Sequence, residues 1–471
     1  MYDIAVVGGG PGGYTAAIRA AQLGARVLLV EKEKLGGVCL NRGCIPTKTL
    51  LRSAERWQSL QDCAAFGLRA ENIGFDFAAV MARKDQVVGQ LQAGVVQLVA
   101  ANGIEVRYGE AALAGPGALA VSSHAGREEF AVCKIILATG SEPMRLPVPG
   151  ADLPGVLTSD EVLALDAVPR SMVVVGSGAV GVEFAAIFRA FGCQVTVVEM
   201  LPTLLPSIDA DLVKRMALLL RKQGIKMLTG AKVTGIRPGP DGLTVAVTTA
   251  DGKELELVAE KVLAAAGRQP IVGGLGLEAA GVAFDRKGIE VNAMMETNVA
   301  GIYAVGDVTG RYMWAHAASG EGLAAVESAL GGAVEMDYGA IPGCIFTAPE
   351  IAAVGLTEQE ALAAGRRVKT GRFNFAANGK AVSMGEADGL VKVVADADDG
   401  KLLGMHILGP HASDLVMEGA IAIRHGLTAE DIGKVIHPHP TLAETVMESV
   451  HALEGRAIHL ARTPLTKRGG G

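Results

Sequence analysis

The chain is poor in two residue classes whose scarcity limits the folds it can adopt. Aromatic residues make up only 4% of the 471 residues, while half of the chain is hydrophobic. This balance favours an aliphatic α/β interior over an all-β one. The chain has only six cysteines, too few for the disulfide framework of a secreted protein.

The chain also lacks a basic excess and a long apolar run. Its net charge of -7 argues against a general nucleic-acid-binding protein. The uncharged stretch from Ile4 to Ile18 follows no basic segment and is interrupted by glycines. No uncharged apolar run reaches the roughly 18 residues that a membrane span needs. The sequence therefore predicts a cytoplasmic protein with no nucleic-acid or membrane partner.

Glycine, in contrast, is abundant, with 62 residues. The cluster Gly8-Gly9-Gly10-Pro11-Gly12-Gly13 lies between a predicted strand at Tyr2–Val7 and a helix to about Leu23. A second strand, Arg26–Val30, is closed by Glu31. This order is typical of a dinucleotide-binding βαβ unit. Gly8, Gly10 and Gly13 would let a pyrophosphate approach the helix N-terminus, and the acid would bind ribose hydroxyls.

The same unit occurs a second time in the chain. The spacing of Gly8, Gly10, Gly13, Gly24 and Glu31 is repeated by Gly176, Gly178, Gly181, Gly192 and Glu199. Glycines that merely pack in ordinary βαβ units are the alternative, which two matched copies weaken. Two sites predict FAD together with a nicotinamide cofactor. Glu199 favours the free 2′-hydroxyl of NAD and repels a 2′-phosphate.

Two further apolar segments end in turns of small residues. They are Ile135–Ser141, which contains Thr139 and Gly140, and Val262–Arg268, which contains Gly267. Both segments predict buried parallel strands.

Two of the cysteines, Cys39 and Cys44, lie close together in the segment Gly36–Lys48. A helix is predicted from about Thr47 to Ser59, and a position at a helix start favours a thiolate. Gly43 can supply the backbone distortion that brings the two cysteines together. Two reduced structural thiols, or half of a metal site, are the alternatives, although no Cys or His cluster lies nearby. No metal site is predicted.

With these motifs the chain resembles the pyridine nucleotide-disulfide oxidoreductases over its whole length, and most closely the dihydrolipoyl dehydrogenases. The segment Gly36–Lys48 is similar to the redox-active disulfide of that family. The resemblance implies cofactor-binding roles for Gly8, Gly10, Gly13, Glu31, Lys48, Thr139, Gly140, Asp307, Gly176, Gly178, Gly181, Glu183, Glu199 and Gly267. A bulky residue, Trp314, departs from the family pattern beside the expected flavin contact.

The resemblance also implies a fold of the α/β class, with two Rossmann-like dinucleotide-binding domains and a C-terminal α+β dimerisation domain. The FAD-binding domain would span 1–147 and 268–336, the NAD-binding domain 148–267, and the dimerisation domain 337–471.

By the same resemblance, Cys39 exchanges with the substrate sulfur and Cys44 faces the flavin. His439, in the segment His437–Glu444, would be the base, held by Glu444, and Lys48 would pair with Glu183. Independently of the resemblance, Thr441 and Glu444 have the spacing of a capping box.

The implied reaction is the NAD-dependent oxidation of dihydrolipoamide by a homodimer. The lipoyl group would come from the lipoyl domains of a 2-oxo acid dehydrogenase complex or from a glycine-cleavage carrier. Related reductases and a non-catalytic flavoprotein subunit are the alternatives. A mercuric reductase is disfavoured because no cysteine follows Cys344, up to the tail Thr466–Gly471. Glu199 disfavours an NADP-dependent glutathione reductase, and the intact cysteine pair disfavours a transhydrogenase.

Overall fold

The computed structural model describes residues 1–115 and 117–460. The tail Thr466–Gly471 lies outside the described residues. The chain divides into two compact units. The first comprises Met1–Met200 and Ala231–Asp337, and the second comprises Leu201–Gly230 and the chain from Tyr338 onward. The division into three domains stays a prediction.

The strands, numbered along the chain, are β1 (Tyr2–Val7), β2 (Val27–Glu31), β3 (Glu105–Tyr108), β4 (Glu110–Gly115), β5 (Ala118–Ser123), β6 (Gly126–Leu137), β7 (Ser141–Pro143), β8 (Val156–Leu157), β9 (Ser171–Val175), β10 (Gln194–Glu199), β11 (Lys226–Thr229), β12 (Ala231–Gly239), β13 (Gly242–Thr249), β14 (Glu254–Ala259), β15 (Lys261–Ala264), β16 (Arg268–Pro270), β17 (Phe284–Asp285), β18 (Gly288–Ile289), β19 (Ile302–Ala304), β20 (Gly343–Ile345), β21 (Glu350–Gly355), β22 (Val368–Asn374), β23 (Leu390–Asp396) and β24 (Leu402–Gly409).

The α-helices are α1 (Pro11–Gln22), α2 (Gly37–Arg42), α3 (Cys44–Gln61), α4 (Phe77–Ala101), α5 (Ser159–Val162), α6 (Ala179–Ala190), α7 (Ala210–Lys222), α8 (Leu277–Ala280), α9 (Ala315–Ala329), α10 (Glu358–Ala363), α11 (Gly379–Met384), α12 (Ala412–Arg424), α13 (Ala429–Gly433) and α14 (Glu444–Ala452). Short 3-10 helices span Cys63–Phe66, Gly306–Thr309 and Phe375–Ala377.

The first unit contains both predicted βαβ folds. In one sheet β3, β2, β1 and β6 lie side by side, β19 also pairs with β6, and all these pairings are parallel. β10, β9, β15 and β8 form a second parallel arrangement in that order. The central strands β1 and β9 are almost continuously apolar because they are buried in the sheet interior. The strands predicted at Tyr2–Val7 and Arg26–Val30 are confirmed to within a residue, while the apolar run at Ile135 is only the last part of the longer strand β6.

The second unit is of the α+β kind. Its strands form an antiparallel sheet in the order β20-β21-β24-β23-β22. Helices α12 and α14 pack on this sheet over a core that includes Val393, Met405 and Val446. The predicted fold class, two Rossmann-like units with an α+β domain, is therefore confirmed. Within the described residues no helix is long and apolar enough to cross a membrane.

Candidate functional site

The two glycine-rich turns have nearly identical backbone geometry. Gly8 has φ +101° and Gly176 has φ +106°, values that L side chains rarely adopt. A Cβ on Gly8 would lie 2.3 Å from the carbonyl oxygen of Ala138, and one on Gly176 would lie 2.3 Å from that of Ala265. Each turn therefore requires glycine at its first position, because the neighbouring strand end leaves no room for a side chain.

The second and third glycines of each turn differ in what surrounds them. A Cβ on Gly181 would lie 2.1 Å from the Gly176 carbonyl oxygen, and one on Gly13 would lie 1.8 Å from that of Gly8. A Cβ on Gly178 would meet no described atom within 4 Å, and one on Gly10 would make only an ordinary contact at 3.8 Å. Packing thus explains the third glycine and leaves the second one, at the helix N-terminus, unexplained. Space there fits the close approach of a pyrophosphate.

The acid that closes each unit folds back onto the turn. Glu31 Oε2 accepts a hydrogen bond of 2.7 Å from the amide of Gly9. Glu199 Oε2 accepts bonds of 2.8 Å from both the amide and the hydroxyl of Ser177. Both carboxylates are buried. Each acid therefore fixes its glycine turn, in addition to the ribose contact that the sequence predicts.

Asp307 lies in a polar network near the ends of β6 and β19. The Ser141 hydroxyl donates to Asp307 Oδ2 over 2.5 Å, and the Arg268 Nε donates to Ser141 Oγ over 2.7 Å. Burial raises the pKa of the Asp307 carboxyl, although Ser141 and Arg268 oppose that rise. This network holds the Asp307 carboxylate in place beyond the ends of β6 and β19.

The other small-residue turns are arranged around the same strand ends. The Thr139 hydroxyl donates to the Ile271 carbonyl over 2.8 Å, and the Ile271 amide donates to the Gly140 carbonyl over 3.0 Å. Gly140 and Gly267 have φ +75° and +125°. Glycine is therefore required at both turns, which connect the two nucleotide-binding units.

Cys39 and Cys44 belong to consecutive helices that break at Gly43. Cys39 is in α2 and Cys44 opens α3, while Gly43 adopts φ −140° and ψ −109°. A Cβ on Gly43 would lie 3.0 Å from the Val38 carbonyl oxygen. The break predicted at Gly43 is confirmed. Helix α3 begins earlier than the predicted Thr47, because Pro46 fits in a first turn whose amides have no partner within the helix.

A side-chain hydrogen bond joins Cys39 and Cys44, and the redox-active disulfide between them stays what the family resemblance implies. The hydrogen bond from Cys39 lowers the pKa of Cys44 to about 7, against burial and with help from the positive charge of Lys48. The same hydrogen bond and burial raise the pKa of Cys39. Cys44 is therefore the more acidic thiol of the pair.

Lys48, one turn after Cys44, forms an ion pair with Glu183 of α6. Its Nζ lies 2.9 Å from Glu183 Oε2 and 3.1 Å from Oε1. The Glu183 side chain is only 5% exposed and that of Lys48 is 32% exposed. The pair therefore joins the cysteine-bearing helix to the helix of the second nucleotide unit, as predicted for these two residues.

In the second unit His439 and Glu444 form a pair. His439 Nδ1 lies 2.9 Å from Glu444 Oε1, and the His439 side chain is 79% exposed. Burial raises the pKa of the Glu444 carboxyl, but bonds from the Thr441 amide and His439 outweigh it, so the pKa is lowered. The ionised carboxylate orients the ring through Nδ1, which leaves Nε2, on the far side of an exposed ring, able to accept a proton.

The capping box predicted at Thr441 and Glu444 is only half present. The Glu444 carboxylate accepts from the Thr441 amide over 2.9 Å, as in such a box. The Thr441 hydroxyl, however, donates to the Pro438 carbonyl, and α14 begins at Glu444 with Ala443 as its N-cap. The prediction of Thr441 as N-cap was wrong, because the Thr441 hydroxyl is bonded to the Pro438 carbonyl and caps no helix amide.

Trp314 is the N-cap residue of α9 and lies in a row of rings. Its ring centroid is 5.6 Å from that of Tyr312 and 5.6 Å from that of His316. The indole is 39% exposed. Among the described residues no group of three His, Cys, Asp or Glu side chains is arranged to hold a metal.

Several residues of these networks were not predicted from the sequence. Ser141 and Arg268 support Asp307, and Ser177 binds Glu199, although each lies in or next to a segment that had been singled out. Glu418, whose Oε2 lies 3.2 Å from His437 Nε2, gave no signal at all. A hydroxyl or charge that supports a functional residue has no fixed spacing from that residue along the chain, so a sequence motif does not reveal it.

The family follows from these features and from comparison with known proteins. Residues 2–322 match the family model described as pyridine nucleotide-disulphide oxidoreductase. The chain belongs to this family. Residues 341–450 match the dimerisation domain of the pyridine nucleotide-disulphide oxidoreductases, so the second unit carries the part of the family that makes dimers.

Individual relatives agree with this membership. The chain is 43% identical to a dihydrolipoyl dehydrogenase of Bacillus subtilis, over 97% of this chain and 99% of the relative. It is 44% identical to a dihydrolipoyl dehydrogenase of Thermus scotoductus, over 98% and 99%. Among solved structures it is similar to the HOCl-induced flavoprotein disulfide reductase RclA of Escherichia coli, with 29% identity, a TM-score of 0.85 and coverage of 95% and 99%.

Proposed function

We propose that the protein is a dihydrolipoyl dehydrogenase, a homodimeric flavoprotein that oxidises dihydrolipoamide to lipoamide with NAD as the acceptor. The observation that carries the proposal is the hydrogen-bonded pair Cys39–Cys44, with Cys44 as the more acidic thiol, beside the Lys48–Glu183 ion pair. The full-length similarity to dihydrolipoyl dehydrogenases supports the choice of substrate.

Both cofactors fit the residues that the sequence predicted for them. FAD would be held by the turn Gly8–Gly13, by Glu31, by the Thr139-Gly140 turn and by Asp307. NAD would be held by the turn Gly176–Gly181 and by Glu199. When bound, FAD and NAD would accept the two electrons, and NADH would carry them away from the protein.

In the first step a thiolate of dihydrolipoamide attacks Cys39 Sγ of the oxidised pair, which forms a mixed disulfide and breaks the Cys39–Cys44 bond. Cys44 leaves as a thiolate, and its lowered pKa makes it a good leaving group. The second substrate thiolate then attacks the mixed disulfide, closes the lipoamide ring and releases Cys39. The net change is one dithiol oxidised and one disulfide reduced.

His439 takes the proton of the attacking substrate thiol, because only a thiolate attacks at a useful rate. The negative charge of Glu444, 2.9 Å from Nδ1, stabilises the protonated ring. The His439 ring of one chain would serve the cysteine pair of the other, so the homodimer is part of the proposal. The match to the family's dimerisation domain supports it.

The remaining parts of the proposal concern layout, partner and location. We assign 1–147 and 268–336 to FAD binding, 148–267 to NAD binding and the chain from 337 to dimerisation. The partner is a lipoyl domain of a 2-oxo acid dehydrogenase complex or a glycine-cleavage lipoyl carrier. A cytoplasmic location is supported by the low cysteine content, since six cysteines in 471 residues are too few for the disulfide framework of a secreted protein.

A steady-state assay of the purified protein tests the proposal. Dihydrolipoamide, oxidised glutathione and mercuric ion are each compared with the matching form of NAD and of NADP. We expect a yellow protein with about one flavin per chain and turnover of dihydrolipoamide with NAD. In Cys44→Ser this turnover should be lost while NADH still reduces the flavin. Preference for glutathione or mercuric ion would establish a related reductase, and no turnover of any substrate would indicate a non-catalytic flavoprotein.

A further inference from the structure

The turn that carries His439 contains a second histidine in a very different environment. The His437 side chain is 5% exposed, whereas that of His439, two residues on, is 79% exposed. A proton acceptor for an incoming substrate must be reachable, so this contrast assigns the two rings to different tasks.

Both ring nitrogens of His437 face oxygen atoms that can only accept. Nδ1 lies 3.0 Å from the Val435 carbonyl oxygen and Nε2 lies 3.2 Å from Glu418 Oε2. Both ring nitrogens are therefore engaged in contacts within the protein, and the buried ring offers neither of them to an incoming substrate.

Glu418 lies on α12, a helix that is packed tightly against the sheet. The next residue, Gly419, is packed so closely that a Cβ there would lie 2.7 Å from Met405 Cβ of β24. Glu418 is the only charged side chain that a described hydrogen bond or ion pair joins to His437. The start of the turn is therefore fastened to the sheet through α12.

The end of the turn is fastened from another element. The buried side chain of Asn378, the N-cap of α11, donates through Nδ2 to the Thr441 carbonyl over 3.0 Å. Pro438, His439 and Pro440 lie between the two anchors. The backbone that carries His439 is thus held by the His437 contact at one end and the Asn378 contact at the other, while Glu444 contacts the ring itself.

We propose that His437, held by Glu418 and the Val435 carbonyl, is a positioning residue that sets the direction of His439. This inference rests on the proposed function, in which His439 is the base. Removing the contact would let the turn shift on α12. Because a displacement of about 1 Å at a reacting group can cost roughly a hundredfold in rate, the effect should appear in the dithiol half-reaction.

The experiment compares His437→Phe, which keeps a buried ring, with Glu418→Ala and Glu418→Gln in the FAD-loaded dimer. His425→Gln is the control, since His425 is an exposed histidine at the end of α12 whose side chain makes no described contact. We expect kcat for dihydrolipoamide to fall about ten- to a hundredfold in His437→Phe and Glu418→Ala. KM and flavin reduction by NADH should stay near wild type. Glu418→Gln, which still accepts a hydrogen bond, should lose less, and the control nothing.

A spectroscopic measurement separates this inference from the proposed function. With isotope-labelled histidine, NMR should show that His437→Phe shifts the ring signals of His439. These signals require no substrate, so they can be read even if wild-type protein does not turn over dihydrolipoamide. Unchanged His439 signals, full kcat in His437→Phe, or equal loss of both half-reactions would overturn the positioning role.

Discussion

Lys48 Nζ lies 2.9 Å from Glu183 Oε2, which joins the helix of the cysteine pair to the second nucleotide-binding unit. The carboxylate is the more buried partner, since it is 5% exposed against 32% for the lysine. Removing the lysine therefore takes a positive partner away from a buried carboxylate, whereas removing both charges leaves no carboxylate charge at this position.

This asymmetry predicts the outcome of a double-mutant cycle. Lys48→Met should lower the free energy of unfolding by about 1–3 kcal/mol, because a buried carboxylate loses its partner. Glu183→Gln in the same background should restore part of that loss. Urea unfolding of the four proteins measures the coupling, and purely additive losses would contradict the pairing.

In the second glycine-rich turn, Gly178 and Gly181 are needed for different reasons, one for the approach of a ligand and the other for packing. Gly181→Ala should destabilise the protein by about 1–3 kcal/mol or more, because its Cβ would overlap the Gly176 carbonyl oxygen. Gly178→Ala should fold normally, since no described atom lies within 4 Å of its Cβ and its φ of −67° suits alanine. It should nevertheless weaken NAD binding at least tenfold, about 1.4 kcal/mol. Thermal unfolding and NAD titration test both halves, and unchanged NAD affinity in Gly178→Ala would refute the pyrophosphate site.

Glu199 should make the enzyme prefer NAD. We expect kcat/KM for NAD to exceed that for NADP at least tenfold, about 1.4 kcal/mol, because the carboxylate repels a 2′-phosphate. Glu199→Gln should narrow this ratio while keeping an oxygen that accepts from Ser177. The corresponding change in the first βαβ unit, Glu31→Gln, should leave the ratio of kcat/KM for NAD to that for NADP unchanged in FAD-saturated protein. Equal use of both cofactors by the wild type would contradict the assignment.

The reduced cysteine pair should ionise in a defined pH window. The pKa of Cys44 is lowered from 9.0 to about 7. A lowered pKa means that the thiolate stabilises the reduced fold fully above about pH 9, and that this contribution is lost as the pH falls through about 7. The rate of alkylation of Cys44 by iodoacetamide in pre-reduced protein should therefore rise through pH 7.

The cause of that shift has its own test. Because the hydrogen bond from Cys39 is the largest cause, Cys39→Ala should raise the pKa of Cys44, and Cys39→Ser, which keeps a donor, should raise it less. Lys48→Met should also raise it. A Cys44→Ala protein corrects the alkylation rate for the other thiols. An unchanged midpoint in Cys39→Ala would show that the two thiols do not interact.

His439 should matter for one half-reaction only. His439→Gln is expected to slow oxidation of the dithiol by about 10²–10⁴-fold, or roughly 3–5 kcal/mol, and to leave flavin reduction by NADH nearly unchanged. Rapid mixing of each half-reaction measures this difference. Equal slowing of both would make the role of His439 structural.

Glu444 gives a graded version of the same test. Glu444→Gln should slow the dithiol half-reaction less, because an amide oxygen still orients Nδ1 but stabilises the charged ring less. It can still accept from the Thr441 amide, so stability should change little. Lower stability with unchanged kinetics would instead assign Glu444 to the turn alone.

Much of this protein was determined by its sequence alone. The repeated glycine spacing and the closing acids predicted both βαβ units, because those turns require glycine and apolar runs of that length form buried parallel strands. The pairs Cys39–Cys44, Lys48–Glu183 and His439–Glu444 were named from short motifs and a family resemblance, and the structure places the members of each pair within contact of one another.

Only the tertiary structure decided what those motifs touch. It separated Gly178 from Gly181, because free space around a Cβ depends on a neighbouring carbonyl and not on spacing along the chain. It lowered the pKa of Cys44 below that of an ordinary thiol, replaced the Thr441 cap with a bond to Pro438, and buried His437 against Glu418 while His439 stayed exposed. Hydrogen bonds and burial arise between segments distant in sequence, so two histidines that look alike in His437-Pro438-His439 acquire different chemistry only when the chain folds.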